Sequence, residues 1–502
     1  MIIRLSLVIA ALVLSDPAVA AKWLRAESDH YVVHAKLDES EIREVATTME
    51  NFERLLASQL PRQTRSGRKL QVFLDDSDHR ISSILKQTNV GWVRSWPEMS
   101  GSFALYDPSD EPVLRYFALF YAQASFYIDN AFFRSNPVWV KVGVPAFFST
   151  AYLGGDEHFI LGAPDVRRLM DSSVTAAGLQ SILTTNIAPQ SHSEWQRFYK
   201  LSRETVNPML IDPRFSGLLE NYLAAYASGR SMAESIGEFG NLKELAERIQ
   251  ERREDDGATF RRIVLQAAPP PEIAVRPMED DEIALIVLRF ERLIGGHGDK
   301  PAKKLAKLAE RFPDSAAVWY EYAAAEFARV QNSRFGGDPL FRGFGFASGV
   351  IVVTANPYSD AAAWRAVNRS LALQPGFSQA LRLKAEILLG RLVRSGDVDD
   401  ATGFENVRQM LAPLASEPGR HPLAATLLYQ SFLEEGVVPP AEAFEMLGKA
   451  FVENPGVEEF RYAYAVALAR NGETEIAEKL LTSLLNDPDY RVAAQRALDQ
   501  VP

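Results

Sequence analysis

The chain has 502 residues, enough for two or three domains with their own cores. Its formal net charge of −11 disfavours nucleic acid or an anionic membrane surface as a general partner, since both require a basic footprint. The absence of cysteine excludes disulfides, thiolate nucleophiles, iron–sulfur clusters and cysteine-bound zinc together.

The first element is a targeting signal. In MIIRLSLVIAALVLSDPAVA, Arg4 supplies the positive start, and the apolar run Leu5 to Leu14 is too short to span a bilayer. Asp16 and Pro17 break that run, and Ala18-Val19-Ala20 is a small-x-small cleavage site, so residues 1–20 read as a signal peptide and the mature chain should begin at Ala21. No cysteine follows to carry a lipid, and no later apolar run reaches the ~18 residues of a membrane span. The expectation is a periplasmic or secreted protein with no transmembrane segment after cleavage.

Residues 21–265 mix strands and helices. HYVVHAKL (30–37) alternates as a strand does, and DESEIREVATTMENFERLLASQL (38–60) is amphipathic with acidic residues in its first turn. KLQVFL (69–74) and GSFALY (101–106) read as strands, followed by a helix pair in ALFYAQASFYIDNAFFRSNPVWVKVGVPAFFST (118–150). HFILG (158–162) is a short strand, and from SEWQRFY (193–199) to Arg253 the pattern is mainly helical. Early strands and late helices predict an α+β domain. QAAPPPEIAVRPMEDDE (266–282), with three consecutive prolines and Pro277, reads as a linker.

Residues 283–502 are helical and repetitive. Prolines closing amphipathic helices recur at Pro313, Pro375, Pro418, Pro455 and Pro488, at intervals of 33 to 62 residues. Ala443, Leu447, Ala450 and Pro455 follow a spacing that resembles the second helix of a tetratricopeptide repeat, and Ala363, Val367, Ser370 and Pro375 repeat it with one substitution. Trp319 with Tyr322-Ala323, and Ala465 with Gly472, fit first-helix positions. The predicted architecture is therefore an α+β domain followed by an all-α, tetratricopeptide-like solenoid. The glycine- and phenylalanine-rich segment 332–358 interrupts it as an insertion, read either as a flap over the solenoid's apolar surface or as a partner-contacting loop. GVIVVTA within it has the composition of a short strand.

The usual catalytic signatures are missing: there is no H-E-x-x-H, no phosphate-loop lysine motif and no G-x-S-x-G elbow. Gly343 and Gly345 do not link a strand to a helix, so they make a poor nucleotide loop. None of the seven histidines pair at helical i, i+4 spacing. His30 and His34 lie four apart in a strand pattern, ~13 Å from each other and too far to share an ion. Asp156, Glu157 and His158 form the best polar cluster and read as a solvated turn, as does the segment around His192.

Residues 22 to about 253 resemble the gluzincin-type, peptidase-MA-like domain found fused to tetratricopeptide repeats in exported bacterial proteins. The resemblance runs through KWLRAESDHYVVHA, the second strand, the helix pair, YLGGDEHFILGAP and ENYLAAYASGRSMAESIGEFGNLKELAERI (220–249). It implies two histidines and a catalytic glutamate on the first helix, where this chain has Tyr121, Ser125 and Ala122. On the second helix Trp139 and Gly143 match, but Val142 stands at the ligand glutamate, with Pro145 and Ala146 in the rest of the motif. The later family segment falls on Phe198, Tyr199 and Ser202, with Arg203 and Asn207 at its tryptophan and histidine.

Zinc needs three nitrogen or oxygen donors and an open position for water, and the water needs a base worth roughly 10²–10⁴-fold in rate. Alanine and valine supply neither, so Tyr121, Ala122, Ser125 and Val142 mark a vestigial site with no metal or cofactor implied. The reading is an exported pseudopeptidase or scaffold that binds a protein or peptide partner through its repeats. The alternatives are a peptidase or glycan-active hydrolase with a non-zinc or unrecognised site, and a structural envelope protein without a discrete ligand.

Overall fold

A computed structural model describes residues 22–60, 68–74, 92–95, 100–104, 116–131, 136–154, 158–162, 173–185, 189, 191–228, 230–254, 261–295, 299–335, 359–395, 400–485, 487 and 490–501. Strands β1 (Leu24–Glu27) and β2 (Tyr31–Ala35) form an antiparallel pair. Helix α1 (Glu39–Gln59) follows, its first turn closed by Asp38, whose side chain accepts from the Glu41 N–H. Ile42, Val45, Ala46, Met49, Phe52, Leu55 and Leu56 recur at helical spacing and are buried, so one face of α1 enters the core.

Strands β3 (Leu70–Leu74), β4 (Trp92–Ser95) and β5 (Ser100–Ala104) extend the sheet, with β3 parallel to both β2 and β5. The order is β4-β5-β3-β2-β1-β9, where β9 (Ala274–Pro277) pairs antiparallel with β1. The stretch 266–282, expected as a linker, therefore contributes an edge strand and is not simply a tether. A smaller antiparallel sheet joins β6 (Tyr152–Gly154), β7 (His158–Leu161) and β8 (Arg261–Val264).

The two faces of the large sheet differ. Tyr31, Val33 and Ala35 of β2, with Leu70, Val72 and Leu74 of β3, enter the main apolar core. The alternate residues, among them Val32, His34 and Gln71, face the other way and line a cavity. On the core side lie α1 and α2 (Phe117–Ala131), in contact with each other, and Phe52 stacks on Phe120 at 3.9 Å between ring centres. Helix α3 (Val138–Phe148) packs between α2 and α5 (His192–Ile211). Pro145 lies inside α3, which continues to Phe148, so the helix does not stop at the proline. Helices α4 (Ala176–Leu183), α6 (Leu218–Ala227), α7 (Met232–Ser235) and α8 (Leu242–Glu254) complete the mixed region.

From Asp280 onward the described chain is helical. Its members are α9 (Asp280–Gly295), α10 (Asp299–Arg311), α11 (Ala316–Phe335), α12 (Ala361–Leu373), α13 (Ser378–Ser395) and α14 (Ala401–Ala415). They continue with α15 (Pro422–Glu435), α16 (Ala441–Val452), α17 (Glu458–Arg470), α18 (Thr474–Leu484) and α19 (Arg491–Leu498). Neighbours in sequence pack together, and α9, α11, α13, α15 and α17 also touch one after another, forming a row. The small residues singled out by spacing lie in the seams: Ala363, Val367 and Ser370 are buried, as are Ala443, Leu447, Ala450 and Ala465. The Ser370 hydroxyl donates to the Ala316 carbonyl at 2.8 Å and ties α12 to the start of α11. Gly436 and Gly472, at φ 78° and 81°, supply the left-handed turns after α15 and α17. Of the segment 332–358, residues 332–335 belong to α11, and the rest, including GVIVVTA and the Gly343 and Gly345 pair, lies outside the described residues.

Among the described residues, the helical region meets the sheet region at places that include the following two. Phe290 of α9 packs edge-on against Phe73 of β3, with ring centres 4.8 Å apart. Near the other end, Arg68 donates from Nε to Asn454 Oδ1 at 2.7 Å, and Gly456 sits against Asp129 and Asn130 at the end of α2.

Candidate functional site

The positions that the resemblance assigns to a zinc motif lie on helices that pack together. Helices α2, α3 and α5 bring Tyr121 and Val142 into the main core, nearly fully buried, while Ala122 is fully buried. Gly143 lets α3 approach α5 closely: a Cβ there would lie 2.5 Å from the Ser202 carbonyl oxygen and 2.7 Å from Val206 Cγ2. The Ser125 hydroxyl donates back to the Tyr121 carbonyl at 2.8 Å, a local helical bond that occupies its proton. Tyr121 and Tyr199 pack with ring centres 6.0 Å apart. Arg203 is buried and donates from Nε to the Ala146 carbonyl at 3.3 Å, putting a guanidinium at the end of α3. Ser202 and Asn207 are buried as well. The arrangement is packed side chains plus one buried cation, with chemistry suited to holding helices together.

The histidines disperse. His30 Nδ1 meets Glu50 Oε2 at 2.6 Å, and the Ser28 hydroxyl donates to Glu50 Oε1 at 2.6 Å, so Glu50 ties the β1–β2 turn to α1. His34 Nε2 pairs with Gln71 Oε1 at 3.0 Å, and its ring stacks on Phe73 at 4.5 Å. Burial pushes the His34 pKa down to about 4. His158 opens β7, with Nδ1 3.2 Å from Arg262, while Asp156 and Glu157 lie outside the described residues, as do His79 and His297. His192 begins α5. His421 precedes α15, its pKa lowered by burial. Among the described residues, no three histidine, aspartate or glutamate side chains are grouped to hold a metal ion.

A polar, open feature lies on the opposite face of the sheet. A cavity of about 1080 Å³ separates that face from the helical region. The sheet wall presents the cations Arg25, Arg68, Lys69 and Arg276 with the acids Glu27 and Asp29. The helical wall presents Arg289, Arg292 and Arg420 with Glu282, Glu321 and Glu453. Seven basic groups thus face five carboxylates, in a chain whose overall balance is −11.

Within the cleft the charges share partners. Arg25 and Lys69 both reach Glu27, each at 2.7 Å, and Arg289 and Arg292 both reach Glu321, at 2.5 and 2.8 Å. Arg276 and Glu282 pair at 2.6 Å. The Lys69 hydrogen bond holds Glu27 below the usual carboxylate range, and the Arg276 hydrogen bond lowers Glu282 to about 2. Both acids are therefore ionised at neutral pH. Gln71, Gln379 and Tyr320 add uncharged donors and acceptors, and Phe377 adds an apolar face.

Sequence reasoning did not find this cleft. Its trace is the alternation Leu24-Arg25-Ala26-Glu27, which reads as an ordinary half-buried strand with a wet face. Only the return of the helical region over that face makes it a site. Comparison of the chain with known proteins finds no matching family model, no matching curated protein and no matching solved structure.

Proposed function

We propose that this chain is an exported, non-catalytic binding protein. It comprises a degenerate peptidase-MA-like domain of gluzincin type and a tetratricopeptide-like solenoid that engages a protein or peptide partner. The observation carrying this reading is a division of labour between the sheet's two sides. Where the resemblance requires zinc donors and a base, the chain has Tyr121, Ala122, Ser125 and Val142; Tyr121, Ala122 and Val142 are buried, and Tyr121 and Val142 belong to the continuous apolar core. The roomy, polar, charged surface lies across the sheet, walled by the helical row. Such a wall offers recognition chemistry, as expected where a helical solenoid presents a groove.

The test combines metal analysis, hydrolysis and binding on the chain from residue 21 onward. The expected result is no stoichiometric zinc, no cleavage products by mass spectrometry from a mixed peptide library, and saturable peptide binding. Restoring Tyr121→His, Ala122→Glu, Ser125→His and Val142→Glu together should create measurable zinc affinity if the helix register is right. One zinc per chain in the unaltered protein, lost when Tyr121 or Ser125 is changed, overturns the reading, as does peptide turnover.

A further inference from the structure

We propose that the cleft between the large sheet and the helical region binds an extended acidic peptide segment, with carboxylates from the segment meeting cations on both walls. This rests on the reading of the chain as a peptide-binding protein and specifies the ligand. Three observations on the cavity carry it.

The first is size. At about 1080 Å³ the cavity stands at the top of the ~300–1,000 Å³ range of small-molecule sites, which suits an oligomer. The second is charge. The lining is basic by two groups in an acidic protein, an excess carried by the sheet wall, while three cations balance three carboxylates on the helical wall. On the sheet side Arg25 and Lys69 share the single carboxylate of Glu27. On the helical side Arg289 shares Glu321 with Arg292. Lys69, Arg289 and Arg276 keep roughly a third of their side-chain surface or more exposed, so an incoming carboxylate reaches them without dismantling the wall.

The third is the mixture of groups, which separates a peptide from a polyanion. Glu27, Glu282 and Glu321 remain in the walls, and the first two are held ionised by their partners. A nucleic acid or an anionic glycan sets uniform negative charge against those carboxylates. A peptide with spaced acidic residues places its carboxylates on the cations and its backbone N–H groups against the wall acids and the Gln71 and Gln379 amides.

The experiment is fluorescence anisotropy on the chain from residue 21 onward, using a labelled alternating glutamate–serine peptide. Lysine–serine and asparagine–serine counterparts and a labelled oligogalacturonate serve as competitors in class. Lys69→Gln and Arg276→Gln alter a half-buried and an exposed side chain and should fold as the parent does, checked by circular dichroism. Arg230→Gln makes the same charge change outside the cleft lining. The acidic peptide should bind best, weaken as salt rises, and lose roughly tenfold in affinity in each cleft variant but not in Arg230→Gln, the size expected for one charge-assisted hydrogen bond. Equal binding of all three peptides, indifferent to the cleft variants, overturns the acidic preference and leaves the binding-protein reading standing. No peptide binding at all overturns both. Tighter binding of the oligogalacturonate overturns the peptide assignment.

Discussion

His34 shows how one position couples the sheet to pH. It sits on the cleft side of β2, 7% exposed, between the Phe73 ring and the Gln71 amide. Its Nδ1 is buried with no hydrogen-bond partner among the described residues, so protonation would bury a charge whose new N–H has no acceptor among them. Arg25 and Arg289 oppose that charge further, and Gln71 and Glu282 only partly offset the burial. The folded pKa of about 4 lies below the ordinary histidine value of 6.5. The unfolded chain therefore binds the proton first as pH falls. Stability from this residue is complete above pH ~6.5 and is lost progressively toward pH ~4, by about 3 kcal/mol. Urea midpoints measured from pH 7.5 to 4 should fall steeply for the parent and less for His34→Gln, whose amide does not titrate. Identical slopes for the two proteins would remove His34 from the account.

Helix α3 shows what a packing constraint looks like at the scale of an element. Glycine inside a helix ordinarily costs about 1 kcal/mol relative to alanine, so Gly143→Ala should stabilise an isolated helix. Here the added methyl meets the Ser202 carbonyl of α5 at 2.5 Å, a backbone atom that cannot rotate away. The clash reverses the sign, and the variant should lose about 1–3 kcal/mol by thermal or urea unfolding, with the loss traced to α3–α5 packing. A neutral or stabilising outcome would mean the two helices stand further apart than described. Much of this level was legible in the chain itself. Apolar periodicity and the acidic first turn announced α1, strand-like stretches announced β2 and β3, and the small-residue spacing fell on the helix seams near Ala363 and Ala443. What stayed hidden were short strands whose existence depends on distant partners. β9 is four residues inside a proline-rich stretch and is a strand only because β1 offers it an edge, some 250 positions earlier in the chain. Packing against α2 and α5 also carries α3 past Pro145 to Phe148.

At the scale of the whole molecule, the cleft exists because the helical region is anchored at both ends of its approach to the sheet. That is why local sequence patterns could not announce it: the sheet wall and the helical wall are each unremarkable alone. One anchor is the β9–α9 passage, where Phe290 meets Phe73. The other is the turn between α16 and α17, where Asn454 accepts from Arg68 and buried Arg461 donates to the Pro455 carbonyl at 2.7 Å. Gly456 in that turn abuts the end of α2, and a Cβ on it would lie 3.0 Å from the Asp129 carbonyl and 3.1 Å from the buried Asn130 amide. Alanine there requires a few tenths of an ångström of adjustment, whereas a branched side chain must lift the turn off α2. Gly456→Leu should therefore release the second anchor while leaving each region folded, because Gly456 is a member of neither apolar core. Interfaces between regions of one chain resemble transient complexes, so losing one of two anchors is enough to let them part. The expected readouts are unchanged far-UV circular dichroism, a larger radius of gyration by small-angle scattering, and two unfolding transitions. Affinity for the glutamate–serine peptide should fall at least as far as in Lys69→Gln, since the sheet wall and the helical wall no longer face each other. Gly456→Ala should show the same changes in weaker form. A compact Gly456→Leu protein that binds the peptide as the parent does would show that the α16–α17 turn is not what holds the cleft closed.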